Sequence, residues 1–217
     1  MMQINQTQWK IIEELAKSNK TPTELAAALK IKPPSIHLQL KQLEQNSLIQ
    51  TAGHKKGKTR PYCEYSLGTG FIYFAKALPN ETEKKFMKIT PLVKLHLQIW
   101  AIPQQEYHEH IELFWWQIQK HLQDIDAIIV YGSVANGQAR DGSDIDILLL
   151  VNKNQKKYEE QYRAVMIKDK IIMTQVFETD DFANSLKKGS KFAEQSIKNC
   201  VIIYDPKEKA SQMKKWS

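Results

Sequence analysis

Apolar residues recur at helical spacing through the first third of the chain. Trp9, Ile12, Leu15 and Ala16 form one stripe and predict a helix over residues 6–17. Thr21-Pro22-Thr23-Glu24 reads as a helix start, with a Thr cap, Pro in the first turn and Glu three residues after the cap. The short helix it opens ends at Ile31-Lys32-Pro33-Pro34. A third helix, over 34–46, turns Ile36, Leu40 and Leu43 inward and Ser35, His37, Gln39, Lys41 and Gln42 outward. Leu48-Ile49-Gln50 follows as a short strand, then the basic loop GHKKGKTRP at 53–61, then a returning strand at 62–67.

Residues 71–125 carry a helical pattern rich in aromatics, interrupted by a polar connector at 79–85. One helix is expected over 92–101, stopped by Ile102-Pro103. A longer one, over 104–122, places Tyr107, Ile111, Phe114, Trp115, Ile118 and Leu122 at core spacing. Trp115 and Trp116 point about 100° apart, so one narrow stripe does not take both. His108 and His110 stand two residues apart on this helix, where side chains do not converge, so they read as solvated histidines rather than metal ligands. Beyond it, strands are predicted at 127–130, 144–151, 171–176 and 201–204. Helices are predicted at 154–167, 180–188 and 191–198, with a basic helix after Asp205-Pro206. Lys187, Lys188 and Lys191 read as surface lysines.

Charge sharpens the division. Residues 1–70 hold ten Lys/Arg against five Asp/Glu, whereas the remainder is nearly balanced within a net charge of +7. The excess points the first third toward a polyanion. No apolar run is long enough for a membrane span, and the first ten residues lack the basic-then-apolar pattern of a secretory leader. The distant Cys63 and Cys200 suit a reduced, cytoplasmic protein.

The stretch YGSVANGQARDGSDIDILLLV, residues 131–151, carries the candidate chemistry. Alternation along its strand sends Asp144, Asp146, Leu148 and Leu150 to one face and Ile145, Ile147, Leu149 and Val151 to the other. The two carboxylates stand about 7 Å apart and repel by about 2 kcal/mol at an effective dielectric near 20. A divalent cation relieves that conflict, and Mg²⁺ favours a few carboxylates together with phosphate oxygens. Gly132 admits close backbone approach, and Ser133 with the following amides suits phosphate oxygens.

Gly132-Ser133, ten residues, then Asp144-x-Asp146 resembles the signature of the DNA polymerase β-like nucleotidyltransferase superfamily, and of its minimal branch. The resemblance implies a mixed sheet flanked by helices and transfer of a nucleoside monophosphate from an NTP, ATP first among them, to an acceptor hydroxyl. It implies that Gly132 and Ser133 grip the triphosphate, that Asp144 and Asp146 bind Mg²⁺ and act catalytically, and that Ser143 orients the loop or a phosphate. Asn136 stands where relatives often carry Arg or Lys. Full members add a third carboxylate on a neighbouring strand. Its place falls near Thr174 or Gln175, neither an acid, with Glu178 just beyond as the substitute.

Residues 5–70 resemble the winged helix-turn-helix of bacterial and archaeal regulators. That resemblance implies double-stranded DNA as partner, read by the outward residues of the third helix, with Lys55, Lys56, Lys58 and Arg60 on phosphates. The expected fold is thus α+β: a winged helix-turn-helix over 1–78, a helical linker over 79–103 and a nucleotidyltransferase domain over 104–217. The expected function is Mg²⁺-dependent nucleotidyl transfer to a protein or small molecule, tethered to DNA. The alternative is a transcription regulator whose nucleotidyltransferase domain senses nucleotide with weak catalysis. By analogy a homodimer is expected, and a toxin or other protein is the further candidate partner.

Overall fold

The computed structural model describes residues 4–55 and 61–216. The chain divides into two compact units, Met1–Thr90 and Pro91–Ser217. In the first, α1 (Gln6–Lys17), α2 (Pro22–Leu29) and α3 (Pro33–Gln45) pack around Ile11, Leu15, Leu25, Ile36, Leu40 and Leu43. Both α1 and α2 begin with complete capping boxes, Asn5 with Gln8 and Thr21 with Glu24. Each satisfies otherwise orphaned amides at its helix start. β1 (Gln50–Lys55) and β2 (Tyr62–Ser66) then form an antiparallel hairpin. It is tied back to the α1–α2 turn by paired bonds between the Lys20 and Tyr65 backbones, 2.9 and 3.1 Å.

Several expectations change here: the strand expected from Leu48 begins only at Gln50, and residues 72–78, expected to be helical, are a strand. The inward face of α1 is Gln8, Ile11, Ile12 and Leu15, while Trp9 and Ala16 are exposed. Gln8 is buried because its amide donates to Gln42 of α3 at 2.9 Å, which turns Trp9 outward. Residues 79–85 are not a connector. β3 (Ile72–Leu78) and β4 (Glu81–Met87) form a second antiparallel hairpin, with Leu78 opposite Glu81 across a Pro79-Asn80 turn. Asn80 takes φ +66°, a left-handed conformation that asparagine tolerates.

The second unit is a five-stranded mixed sheet with helices on both faces. It begins with α4 (Pro91–Trp100), a 3-10 turn at Gln105–Tyr107 and α5 (His108–Ile118). β5 (Ile125–Tyr131), the short α6 (Gly132–Ala135) and β6 (Ile145–Val151) follow. Next come α7 (Gln155–Tyr162), β7 (Ala164–Ile167), β8 (Lys170–Glu178), α8 (Thr179–Lys187), α9 (Lys191–Lys198), β9 (Val201–Tyr204) and α10 (Lys209–Lys214). Strand order is β7-β8-β6-β5-β9, with β6 and β8 parallel and every other pair antiparallel. Alternation on β6 divides the core as expected. Ile145, Ile147, Leu149 and Val151 join one hydrophobic cluster with α4, α5 and α7, and Leu148 and Leu150 join the other with α8, α9 and α10.

Residues 104–122 are broken rather than one helix, because Gln104 is extended and 3-10 turns flank α5. Residues 164–167 are a strand, not the end of a helix. Lys168, at φ +53°, turns the chain so that Ile167 pairs with Lys170. Trp115 is core, against Tyr204, and Trp116 is exposed. A β-bulge between Ile125 and Ala127 accommodates the fully buried Asp126. It accepts bonds from Lys207 (3.2 Å), Lys209 (2.7 Å) and Thr179 (2.9 Å), anchoring the start of α10 and the turn before it to the sheet. No helix among the described residues is long and apolar enough to cross a membrane.

Candidate functional site

The site forms where β5 ends and β6 begins. Tyr131 is the cross-strand partner of Asp146, and at Gly132 the backbone swings to φ +73° to open α6. A Cβ on Gly132 would lie 2.6 Å from Asp146 Oδ2, so glycine is what lets this carboxylate rest on the turn. Asp144 sits just before the strand and is exposed, while Asp146 is half-buried. Burial, and then the neighbouring charge of Asp144, push the Asp146 carboxyl above the usual carboxylate range. A desolvated acid beside a second acid is an arrangement that a divalent cation neutralises. Two carboxylates fit an ion that takes its remaining oxygens from a substrate. Among the described residues no group of three or more His, Cys, Asp or Glu converges as a closed metal cage.

The loop between α6 and β6 is held from outside the signature. Gln104 donates its amide to the Ala139 carbonyl (3.0 Å) and accepts the Ala139 N–H (2.9 Å), as a strand would. Tyr107 donates its hydroxyl to the Arg140 carbonyl at 3.3 Å. A Cβ on Gly137, φ +69°, would meet Pro103 at 2.9 Å. Pro103, Gln104 and Tyr107 therefore hold this loop in place. The sequence marked Pro103 only as a helix stop and Tyr107 only as core, and gave Gln104 no role. Ser143 belongs to the same loop, and its hydroxyl accepts the Arg140 N–H at 2.9 Å, closing the turn that delivers Asp144. The Ser133 carbonyl accepts the Gln138 N–H at 2.8 Å. His110 is buried rather than solvated. It bridges the Glu106 carbonyl (3.0 Å) and the Asp169 carboxylate (2.9 Å), while Lys168 pairs with Glu109, so the β7–β8 turn is fastened to α5.

The strand register decides the place of the third carboxylate. Met173 lies opposite Asp146 and Gln175 opposite Leu148, so both share the Asp146 face. Thr174 points to the other face, is buried, and its hydroxyl has no hydrogen-bond partner. Glu178 lies opposite Val151, five residues beyond Met173. It is therefore roughly 16 Å along the strand and on the wrong face to stand in for a missing acid.

In the first unit, Ser35, His37 and Lys41 are exposed on α3 beside the exposed Leu38. Gln39 and Gln42 are engaged at home: Asn5 donates to Gln39 at 3.1 Å and Gln8 to Gln42. Lys55 bridges Glu24 (3.1 Å) and Glu64 (3.0 Å). Lys56, Lys58 and Arg60 lie outside the described residues. The Thr21 backbone N–H, then Lys55 and the Thr21 hydroxyl, hold Glu24 down at about 2.

Comparison with known families bears on both units. The sequence model described as Polymerase beta, Nucleotidyltransferase matches residues 116–209, which contain the whole five-stranded sheet, the Gly-Ser turn and both aspartates. The model described as Bacterial regulatory protein, arsR family matches residues 5–51, the three helices and the start of β1. No curated protein sequence matches the chain. The polymerase β superfamily is generally dependent on divalent metal. Residues 5–51 thus match an arsR-type helix-turn-helix, which implies DNA binding, and residues 116–209 match a polymerase β nucleotidyltransferase domain, which implies a nucleotide substrate.

Proposed function

We propose that the second unit is a Mg²⁺-dependent nucleotidyl-transfer centre, with ATP as donor and a hydroxyl of a protein or small molecule as acceptor. The first unit localises it on double-stranded DNA in the cytoplasm. One observation carries the reading: the Asp146 carboxylate rests against Gly132, so the acid pair and the Gly-Ser turn serve one site. Asp144 and Asp146 are the residues to hold Mg²⁺, and Gly132 and Ser133 those to take the triphosphate. When bound, the ion supplies charge neutralisation at the phosphates. In the reaction the acceptor oxygen bonds to the α-phosphorus, the bond to the β-phosphate oxygen breaks, pyrophosphate leaves and the hydroxyl proton passes to water. Positioning dominates such chemistry, and Gln104, Tyr107 and Ser143 provide it by fixing the loop that carries Asp144. The test is transfer of label from α-labelled NTPs to candidate acceptors. Wild type is expected to label and Asp144→Asn/Asp146→Asn to fail; equal labelling by both removes these aspartates from the mechanism.

A second reading has its own support. Met173 and Gln175 occupy the β8 positions beside Asp146, and neither accepts a proton at neutral pH. On this reading the chain is a DNA-binding regulator that senses NTP with little turnover, as a homodimer on a two-fold site. Linkage then requires nucleotide and DNA to change one another's affinity by the same factor. Titrations in both directions that reveal no coupling would eliminate it.

A further inference from the structure

The face of the sheet that carries Asp146 continues into an open aromatic wall. Tyr131 flanks Asp146 on β5, and Met173, Gln175 and Phe177 run along β8 on the same side. Phe192, in the first turn of α9, stands over this surface. Its ring centroid lies 6.1 Å from that of Tyr131 with the planes at 90°, and 5.7 Å from that of Phe177 at 34°. Two rings thus fix its orientation, yet Phe192 stays 39% exposed. This exposure does not come from a loosely seated helix, because Ala193, Ser196 and Ile197 of α9 are buried. An aromatic ring held rigidly from behind and left open in front suits a planar partner.

We propose that Phe192 is the stacking platform for the nucleobase of an NTP whose phosphates lie at Gly132, Ser133, Asp144 and Asp146. The inference rests on the nucleotide reading above and adds to it a residue for the base. Tyr131 links the two ends of the site, touching Phe192 with its ring while pairing across the strands with Asp146. On this proposal a nucleotide held by its phosphates at the acid pair extends its base along this face of the sheet to the exposed ring of Phe192. Stacking uses the π-face that every base has, so the platform takes the adenine of ATP without itself selecting among bases.

The test compares ATP with inorganic tripolyphosphate, each titrated calorimetrically with magnesium into the full chain. Phe192→Ala is expected to weaken ATP binding about tenfold, within the usual range for loss of one base–aromatic stack, and to leave tripolyphosphate affinity unchanged. Phe192→Tyr and Phe192→Trp are expected to retain ATP affinity. Phe192→Leu fills most of the volume and guards against misfolding, and is expected to behave like Phe192→Ala. An unaltered ATP-to-tripolyphosphate ratio in the Ala and Leu variants overturns the platform while leaving the nucleotide site standing. Equal weakening of both ligands overturns it too, by making Phe192 merely structural. Wild type that binds neither ligand overturns the underlying nucleotide reading itself.

Discussion

At Gly132 two constraints meet, a left-handed backbone and a carboxylate where a side chain would begin. Gly132→Ala is therefore expected to displace Asp146 and abolish calorimetric uptake of ATP with magnesium. The left-handed strain alone should cost about 1–2 kcal/mol of stability; undiminished uptake would contradict the assembled site. Asp146 illustrates the cost of such a site in the metal-free protein. Its folded-state pKa is raised, so its stability contribution is present at low pH and lost as pH rises through the folded value. Thermal melts in chelator should show Asp146→Asn more stable than wild type at neutral pH, with the gap closing in acid. Glu24 has the opposite sign. Held at about 2 against an ordinary 4.5, it contributes stability above 4.5 that disappears as pH falls toward 2. In Glu24→Gln the melting curve of the first unit should lose that part of its acid dependence.

At the scale of elements, the register of β8 separates two residues that look alike in sequence as candidates for the third position. Glu178→Gln should leave label transfer within about twofold of wild type, since the residue sits far along the strand and on the other face. Gln175→Asp places a carboxylate on the Asp146 face and is expected to raise transfer; a variant no faster than wild type would show that proton removal does not limit the rate. The Gln104 clamp makes a different claim, that a side chain before α5 orders the loop before β6. Gln104→Ala gives up two hydrogen bonds, each worth about 1 kcal/mol. It should speed hydrogen exchange at the Ala139 amide and lower transfer without shifting the exchange of β5 or β6. Unchanged exchange at Ala139 would refute the clamp.

At the scale of the whole molecule, each unit closes its own hydrophobic core, and the positive charge concentrates in the first. DNA affinity should fall with salt at a log–log slope near −0.9 for each phosphate neutralised. Filter binding across a salt series should show the slope shrinking by about one on neutralising a phosphate-contacting cation. Lys55→Ala is expected to change the slope little, because its ammonium already bridges Glu24 and Glu64. A full-unit change would mean that DNA draws Lys55 away from both acids.

What the amino-acid order determined by itself is what acts over a few residues. The capping boxes at Asn5 and Thr21 start α1 and α2, and the 3.6-residue spacing of Ile36, Leu40 and Leu43 turns α3 inward. Strict alternation on β6 divides the two faces of the sheet, and the Gly-Ser to Asp-x-Asp spacing marks the site. Even the β3–β4 hairpin had a local cue in Pro79-Asn80, but its polar surroundings imitate a connector. Tertiary structure alone decided the rest. Burial of His110 depends on Asp169, the fixed loop on Gln104, the separation of Glu178 from the acid pair on pairing with β6, and the occupation of Gln42 on Gln8. Each of these joins residues more than 25 positions apart in the chain. Periodicity and capping reach only a turn or two along the backbone, whereas these pairings are chosen by the packing of distant elements.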